Sequence, residues 1–267
     1  MSLRSHLLLL TLAVLLPLAI FGVGATLWVA DRERDAFEQG ARQRTLALIT
    51  AVDTELGGHA GTLRALASSY NLEAGNLPAF HRQAMRLLQT QENWRSIILA
   101  MPSGQRILDS SMPLDAALSV IDRTGFDEAL RRKEPTIGNL SPEDSEYHFS
   151  VLMPVQSTGQ VYILMALVDP QAVLSLLTPQ RLPRDWVGTV LDSNNRVVAR
   201  TFNSSATVGK PASESLQAAL RQAAEGWFHG TTIEGADVYA SFHQSSVTGW
   251  TVALGIPSAV VGATTSH

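Results

Sequence analysis

The histidines are the natural place to look for chemistry: His6, His59, His81, His148, His229, His243 and His267. None is spaced from another as metal ligands are, and no H-E-x-x-H run occurs. Cysteine is absent, which removes thiolate metal sites, cysteine nucleophiles and disulfide staples together. The glycines never take a phosphate-cradling spacing, and no serine lies in a G-x-S-x-G elbow. Glu143 and Asp144, within SPEDSE, offer two carboxylates for acid–base work, or simply a solvated loop. The run Arg131, Arg132, Lys133, Glu134 reads as the exposed end of a short helix, where cations suit the helix dipole. On these grounds the chain is not expected to be an enzyme; no catalytic residue is assigned, and no metal or cofactor is expected. Charged residues make up 16% of the chain and the formal net charge is -4, so there is no basic field to gather nucleic acid.

What remains is binding, and the elements that would position a binding site begin with an anchor. Residues 7–30 carry no charged side chain. A helix of that length crosses a hydrocarbon core of roughly 30 Å. Arg4 precedes the run and Asp31, Arg32, Glu33, Arg34 and Asp35 come after it, which favours an inside N-terminus. An uncleaved transmembrane helix is expected; a cleaved signal peptide is the alternative, and both export the rest of the chain. Over 32–70 the residues Phe37, Ala41, Leu48, Val52, Leu56, Leu63, Leu66 and Tyr70 recur at helical steps, predicting a stalk helix with a bend where Gly57, Gly58 and Gly61 flank His59. A second helix is predicted over 79–90, with Pro78 at its start.

The texture then changes to strands. These are predicted over 94–100, 106–108, 147–155 and 160–168, with a short helix over 126–132 and another over 171–177. The order then repeats: strands over 186–191 and 196–199, a helix over 213–224 capped by Ser213, and strands over 227–233, 238–242 and 250–256. The repeat is visible in the letters. WRSIILAMPSGQRIL, from Trp94, and WVGTVLDSNNRVV, from Trp186, both run from tryptophan to a leucine, turn, and resume with arginine and two aliphatic residues. Two tandem α+β modules are expected, each an antiparallel sheet with helices on one side and a binding groove between a sheet face and its covering loops.

In this order the segments NWRSIILAMPSGQRIL, DRTGF, LMALVDPQAVLSLL, DWVGTVLDSNNRVVAR, EGWFHGTTIEGADVYASF and TGWTVALGIP resemble the double Cache sensor domains of bacterial histidine kinases, diguanylate cyclases and chemoreceptors. The resemblance covers most of residues 32–260. It implies a long N-terminal helix followed by a membrane-distal and a membrane-proximal PAS-like module, with a small amino acid, amine or carboxylate bound by the distal one and a homodimer along the long helix. The domain plan is then a cytoplasmic tail over 1–6, a transmembrane helix over 7–30, stalk and distal module over 31–177, a proximal module over 178–257, and the approach to a second span over 258–267. It further implies residence in the inner membrane, with the soluble part in the periplasm. By position in the family's pattern, Arg123 would pair with a ligand carboxylate and Asp169 would receive an ammonium group, with Tyr147 and Trp94 as aromatic walls. The family's tyrosine before Phe126 is Gly125 here, and its close-set Arg-x-Trp is absent.

Each assignment has a plainer counterpart. Asp169, ahead of Pro170, suits a helix cap. Trp94 and Trp186 hold matched places, which suits a shared core role. Arg123 can pair with Asp127 or Glu128, and Tyr147 can be an ordinary strand aromatic. Two functions therefore stand: a ligand-sensing input domain of a membrane signal transducer, and a structural or partner-binding extracytoplasmic module with a closed core.

Overall fold

The computed structural model describes residues 3–121, 123–143, 145–177 and 182–263, with side chains over 35–261 except that of Glu143. Asp122 and Asp144 lie outside the described residues. Helix α1 (Leu3–Ala67) runs through Gly57, Gly58 and Gly61 without a break. The span expected over 7–30 falls where no side chains are described; among the described residues no helix is long and apolar enough to cross a membrane.

After α1 come α2 (Tyr70–Glu73) and α3 (Leu77–Leu88). The latter is started by Asn76, whose side-chain oxygen accepts from the Ala79 N–H, with Pro78 in the first turn. The first sheet is built from β1 (Trp94–Ala100), β2 (Arg106–Asp109), β3 (Thr136–Glu143), β4 (Glu146–Ser157) and β5 (Gln160–Val168), with α4 (Phe126–Arg132) ahead of β3 and α5 (Gln171–Leu174) after β5. The second is built from β6 (Val187–Leu191), β7 (Val197–Arg200), β8 (Glu225–Thr231), β9 (Asp237–Gln244) and β10 (Thr251–Pro257), with α6 (Ser204–Thr207) and α7 (Glu214–Leu220) between β7 and β8, and α8 (Ser258–Ala263) last. Strand orders are β2-β1-β5-β4-β3 and β7-β6-β10-β9-β8. All pairings are antiparallel, so the second sheet repeats the topology of the first.

The repeat in the sequence is therefore a repeat in the fold. The two tryptophans that open it do matching work: both are buried against α1. Trp94 donates its indole N–H to His59 Nδ1 at 2.9 Å, while the Trp186 ring lies 5.8 Å from that of Phe37, with the Arg44 guanidinium 5.0 Å from the Trp186 centroid. The apolar positions of α1, from Ala41 through Leu48, Val52, Leu56 and Leu63 to Leu66, join one face of both sheets in a single core. Hydrogen bonds fix the helix's register on the second sheet: Thr45 donates to Ser241 Oγ, and Asp53 accepts from Ser245 and Thr248.

Two expectations need correcting. Helices do not sit on one side only, because α4 covers the face of the first sheet opposite α1, through Phe126 and Ala129, and α7 does the same for the second through Leu216. The stretch read as a solvated SPEDSE loop supplies the end of β3. Its Gly138, Asn139 and Pro142 hide strand character, and an edge position tolerates them: β3 is the last strand of its sheet and pairs with β4 alone.

Candidate ligand cavity on the first sheet

Alternation along the strands sends two sets of side chains to opposite faces. Ile97, Leu99, Val151, Leu164 and Ala166 face α1. Ile98, Leu152, Ile163, Met165 and Leu167 face away. On that second face the apolar pattern is broken by polar residues in register. Ser96, Leu167 and Ser150 form one row across β1, β5 and β4, and Asp109 lies opposite Ile98.

Residues 110–121 follow β2, are tied at both ends, and bring Ser119, Val120 and Ile121 to this face. At the start, buried His81 sits on α3 with Nε2 at 2.9 Å from the Met112 carbonyl, and Ser110 Oγ accepts from the Ile97 N–H. At the far end the Ile121 N–H donates to the Gly104 carbonyl at 2.9 Å and Val120 bridges Gln105. Gly104 is required there: its φ is +92°, and a Cβ would come within 2.9 Å of the Ile121 carbonyl oxygen.

Between loop and sheet lies a cavity of about 280 Å³ lined by Arg106, Ser119, Ile121, Thr124, Asn139, Ser141, Ser150, Met165 and Leu167 among others. Its cation is Arg106, nearly buried and 3.0 Å from Asp109. Asp109 is committed: one oxygen takes that arginine, and the other accepts from the N–H and hydroxyl of Ser111. The described lining residues include no carboxylate. On the same sheet face Ser96 Oγ and His148 Nδ1 are buried without a hydrogen-bond partner among the described residues. Uncompensated burial of a polar atom is costly, so such atoms mark where a water or solute belongs.

The four residues carried over from the family pattern do not converge on this cavity. Trp94 faces α1, on the other side of the sheet. Arg123 is half exposed beside the cavity residue Thr124 and lies 3.7 Å from Asp127. Asp169 and Tyr147 come together in a separate groove of about 460 Å³ with Arg95, Glu146, Ser204 and Ser205. There Asp169 accepts from the Gln171 N–H, the first of α5, at 2.8 Å, and holds Arg95 with its other oxygen. Tyr147 lies against Gly209 of the second module, where a Cβ would overlap its ring. Sequence reasoning missed Arg106, Ser150 and Asn139. The available signal was polarity at inward positions of otherwise apolar strands.

Among the described residues the second sheet has no comparable hollow in the equivalent place. Leu216, Phe228, Ala240 and Ala253 close it to about 50 Å³. At its edge Arg200 makes a two-pronged ion pair with Glu234, which pulls the Glu234 carboxyl down to about 2, chiefly through that hydrogen bonding. A larger open hollow, about 1180 Å³, is lined by Leu174, Leu177, Leu182, Trp186, Phe202 and Glu234 among others.

No family model matches the sequence, and no curated protein matches it. Solved structures do match the fold. The extracellular domain of the histidine kinase candidate rpHK1S-Z16 superposes with a TM-score of 0.67 at 14% identity, covering 82% of this chain and 93% of that one. The sensory domain of the Campylobacter jejuni chemoreceptor Tlp3, solved with isoleucine bound, gives 0.64 at 12% identity over 88% and 98%. The ligand-binding domain of the Pseudomonas aeruginosa amino acid chemoreceptor PctB, solved with L-Gln, gives 0.64 at 14% identity over 84% and 92%. The chain has the fold of such sensory domains: two PAS-like sheets in tandem along one long helix, the double Cache arrangement.

Proposed function

We propose that this chain is the extracytoplasmic, ligand-sensing input of a membrane signal transducer, and that its first module binds a small solute carrying a carboxylate, amino acids included. The observation that carries the reading is the cavity over the first sheet, with an arginine in its wall and polar Ser119, Asn139, Ser141 and Ser150 around it. An arginine fork presents five donors and suits carboxylates. With no carboxylate among the described lining residues, the cavity favours acids and amino acids over simple amines. The neighbours solved with isoleucine and glutamine support a solute of this size. The closed-core alternative expects no such hollow.

The reading includes a membrane span over 7–30, a distal module ending near 177, and a proximal module over 178–257. The second sheet packs beside residues 37–53 of α1 and the first beside its later turns, which supports the reading that the second lies nearer a membrane entered through the N-terminus. A homodimer along α1 in an inner membrane, with the soluble part in the periplasm, completes the proposal. Any catalytic output would belong to another part of the system.

Thermal unfolding of the intact chain against L-amino acids, short carboxylates and amines tests it. A solute at about a hundred times its Kd stabilises by about 2.7 kcal/mol, a Tm rise of about 5–10 °C for a domain of this size. Carboxylate-bearing solutes should give that rise, Leu167→Trp should abolish it, and Asp169→Ala should leave it. A flat panel, or loss of the rise in Asp169→Ala alone, would move the site elsewhere.

A further inference from the structure

Asn139 belongs to two sites at once. It lines the cavity on the first sheet, and its side-chain oxygen accepts both the backbone N–H and the hydroxyl of Ser193, at 3.1 and 2.7 Å. Ser193 stands in the turn between β6 and β7 of the second module. The next residue repeats the arrangement, since the Leu140 N–H donates to Asp192 Oδ2 at 3.0 Å. Asp192 is fully buried, and its other oxygen holds its own turn through the Asn194 and Arg196 N–H groups, each at 2.9 Å. These contacts arise where β3 loses register with β4, between Ile137 and Leu140. A bulge frees backbone groups from the ladder and re-aims side chains. Here the freed N–H is taken by the second module, and the re-aimed side chain reaches both the cavity and the turn. Beneath it Gly138 is in such close contact with Ser150, another cavity residue, that a Cβ would overlap the Ser150 hydroxyl.

We infer that the bulge at Gly138, Asn139 and Leu140 is the coupling element between the two modules: filling the cavity displaces Asn139 and loosens its hold on the Ser193 turn. A carboxamide oxygen has two lone pairs, and Ser193 uses both. A group entering the cavity that donates to this oxygen, or pushes the bulge off Ser150, therefore does so at the expense of Ser193. Coupling of this kind needs one element whose equilibrium both sites bias, and Asn139 is in contact with both. The physiological trigger rests on the solute reading above, while the mechanical link holds for any group that fills the cavity.

Amide hydrogen exchange at Ser193 in the intact chain reads the link without a solute. Leu167→Trp fills the cavity from the central strand, and Met165→Phe does so more gently should the tryptophan unfold the sheet. Asn139→Ala removes the acceptor directly. Filling the cavity should speed Ser193 exchange by about tenfold or more, as expected from loss of a hydrogen bond. Asn139→Ala should do the same, and the two changes together should act no more than either alone. Unchanged Ser193 exchange in a folded cavity-filled variant, or effects that multiply in the double variant, would overturn the inference. A flat solute panel would sink the solute reading and leave this cycle standing.

Discussion

Acid should weaken the joint between α1 and the first sheet through His59. Its side chain is 8% exposed, and Nδ1 accepts the Trp94 indole N–H at 2.9 Å. An imidazole nitrogen that accepts carries no proton, so the ring is neutral with its proton on Nε2. Nε2 lies 3.4 Å from the Glu55 carboxylate but makes no hydrogen bond of good geometry. Burial pushes the His59 pKa below its usual 6.5, and attraction to Glu55 offsets part of that. The unfolded chain therefore takes up this proton first. The contribution to stability is complete above about pH 6.5 and is lost as pH falls through the folded pKa. For one proton the slope in that window is at most about 1.4 kcal/mol per pH unit. The assay is urea unfolding of the intact protein from about pH 8 to about pH 5. His59→Asn keeps an acceptor for Trp94 and cannot titrate, so it should remove His59's share of the slope. Trp94→Phe should cost about 1 kcal/mol at pH 8 by removing the hydrogen bond. Equal slopes for His59→Asn and the wild type would show that His59 does not carry the acid sensitivity.

Single residues elsewhere carry further consequences. Asp192→Ala strips the acceptor from three backbone N–H groups, those of Leu140, Asn194 and Arg196, and should cost about 3–5 kcal/mol in urea unfolding; a loss under about 1 kcal/mol would mean that water replaces the carboxylate. Gly138→Ala should destabilise by about 1–3 kcal/mol through overlap with Ser150 Oγ, and Ser150→Gly in the same chain should recover most of it. Glu234 is held down to about 2 by Arg200, so its contribution is full above about pH 4.5 and disappears as pH falls toward 2. Thermal melts of Glu234→Gln should show a flatter acid limb in that window.

The fold was largely legible because its determinants are local. Runs such as Ile97, Ile98 and Leu99 bounded by Pro102 and Gly104 announce a strand and turn, and the second copy from Trp186 repeats the message. Pro78 marks the start of α3. β3 was illegible because Gly138, Asn139 and Pro142 oppose strand formation, and only the partner β4 makes the segment extended. The glycines beside His59 predicted a bend, yet tertiary packing of Leu56 and Leu63 on both sides keeps α1 continuous. The cavity was harder still. Ser96, Ser150 and Arg106 are brought to one face by strand register, which depends on bulges at Trp94–Ser96 and Leu99–Ala100. Asp169 and Tyr147, carried over from the family pattern, instead lie together where the two modules meet.

In the proposed function a small solute is held beneath Ser119 to Ile121, on the face of the first sheet away from α1. Amide hydrogen exchange of the intact chain, with and without the carboxylate or amino acid that most raises its Tm, tests this most directly. New protection is expected across 110–125 and at Ser150, with a loosened Ser193. Protection confined to the Tyr147–Asp169 groove or to the second module would contradict it.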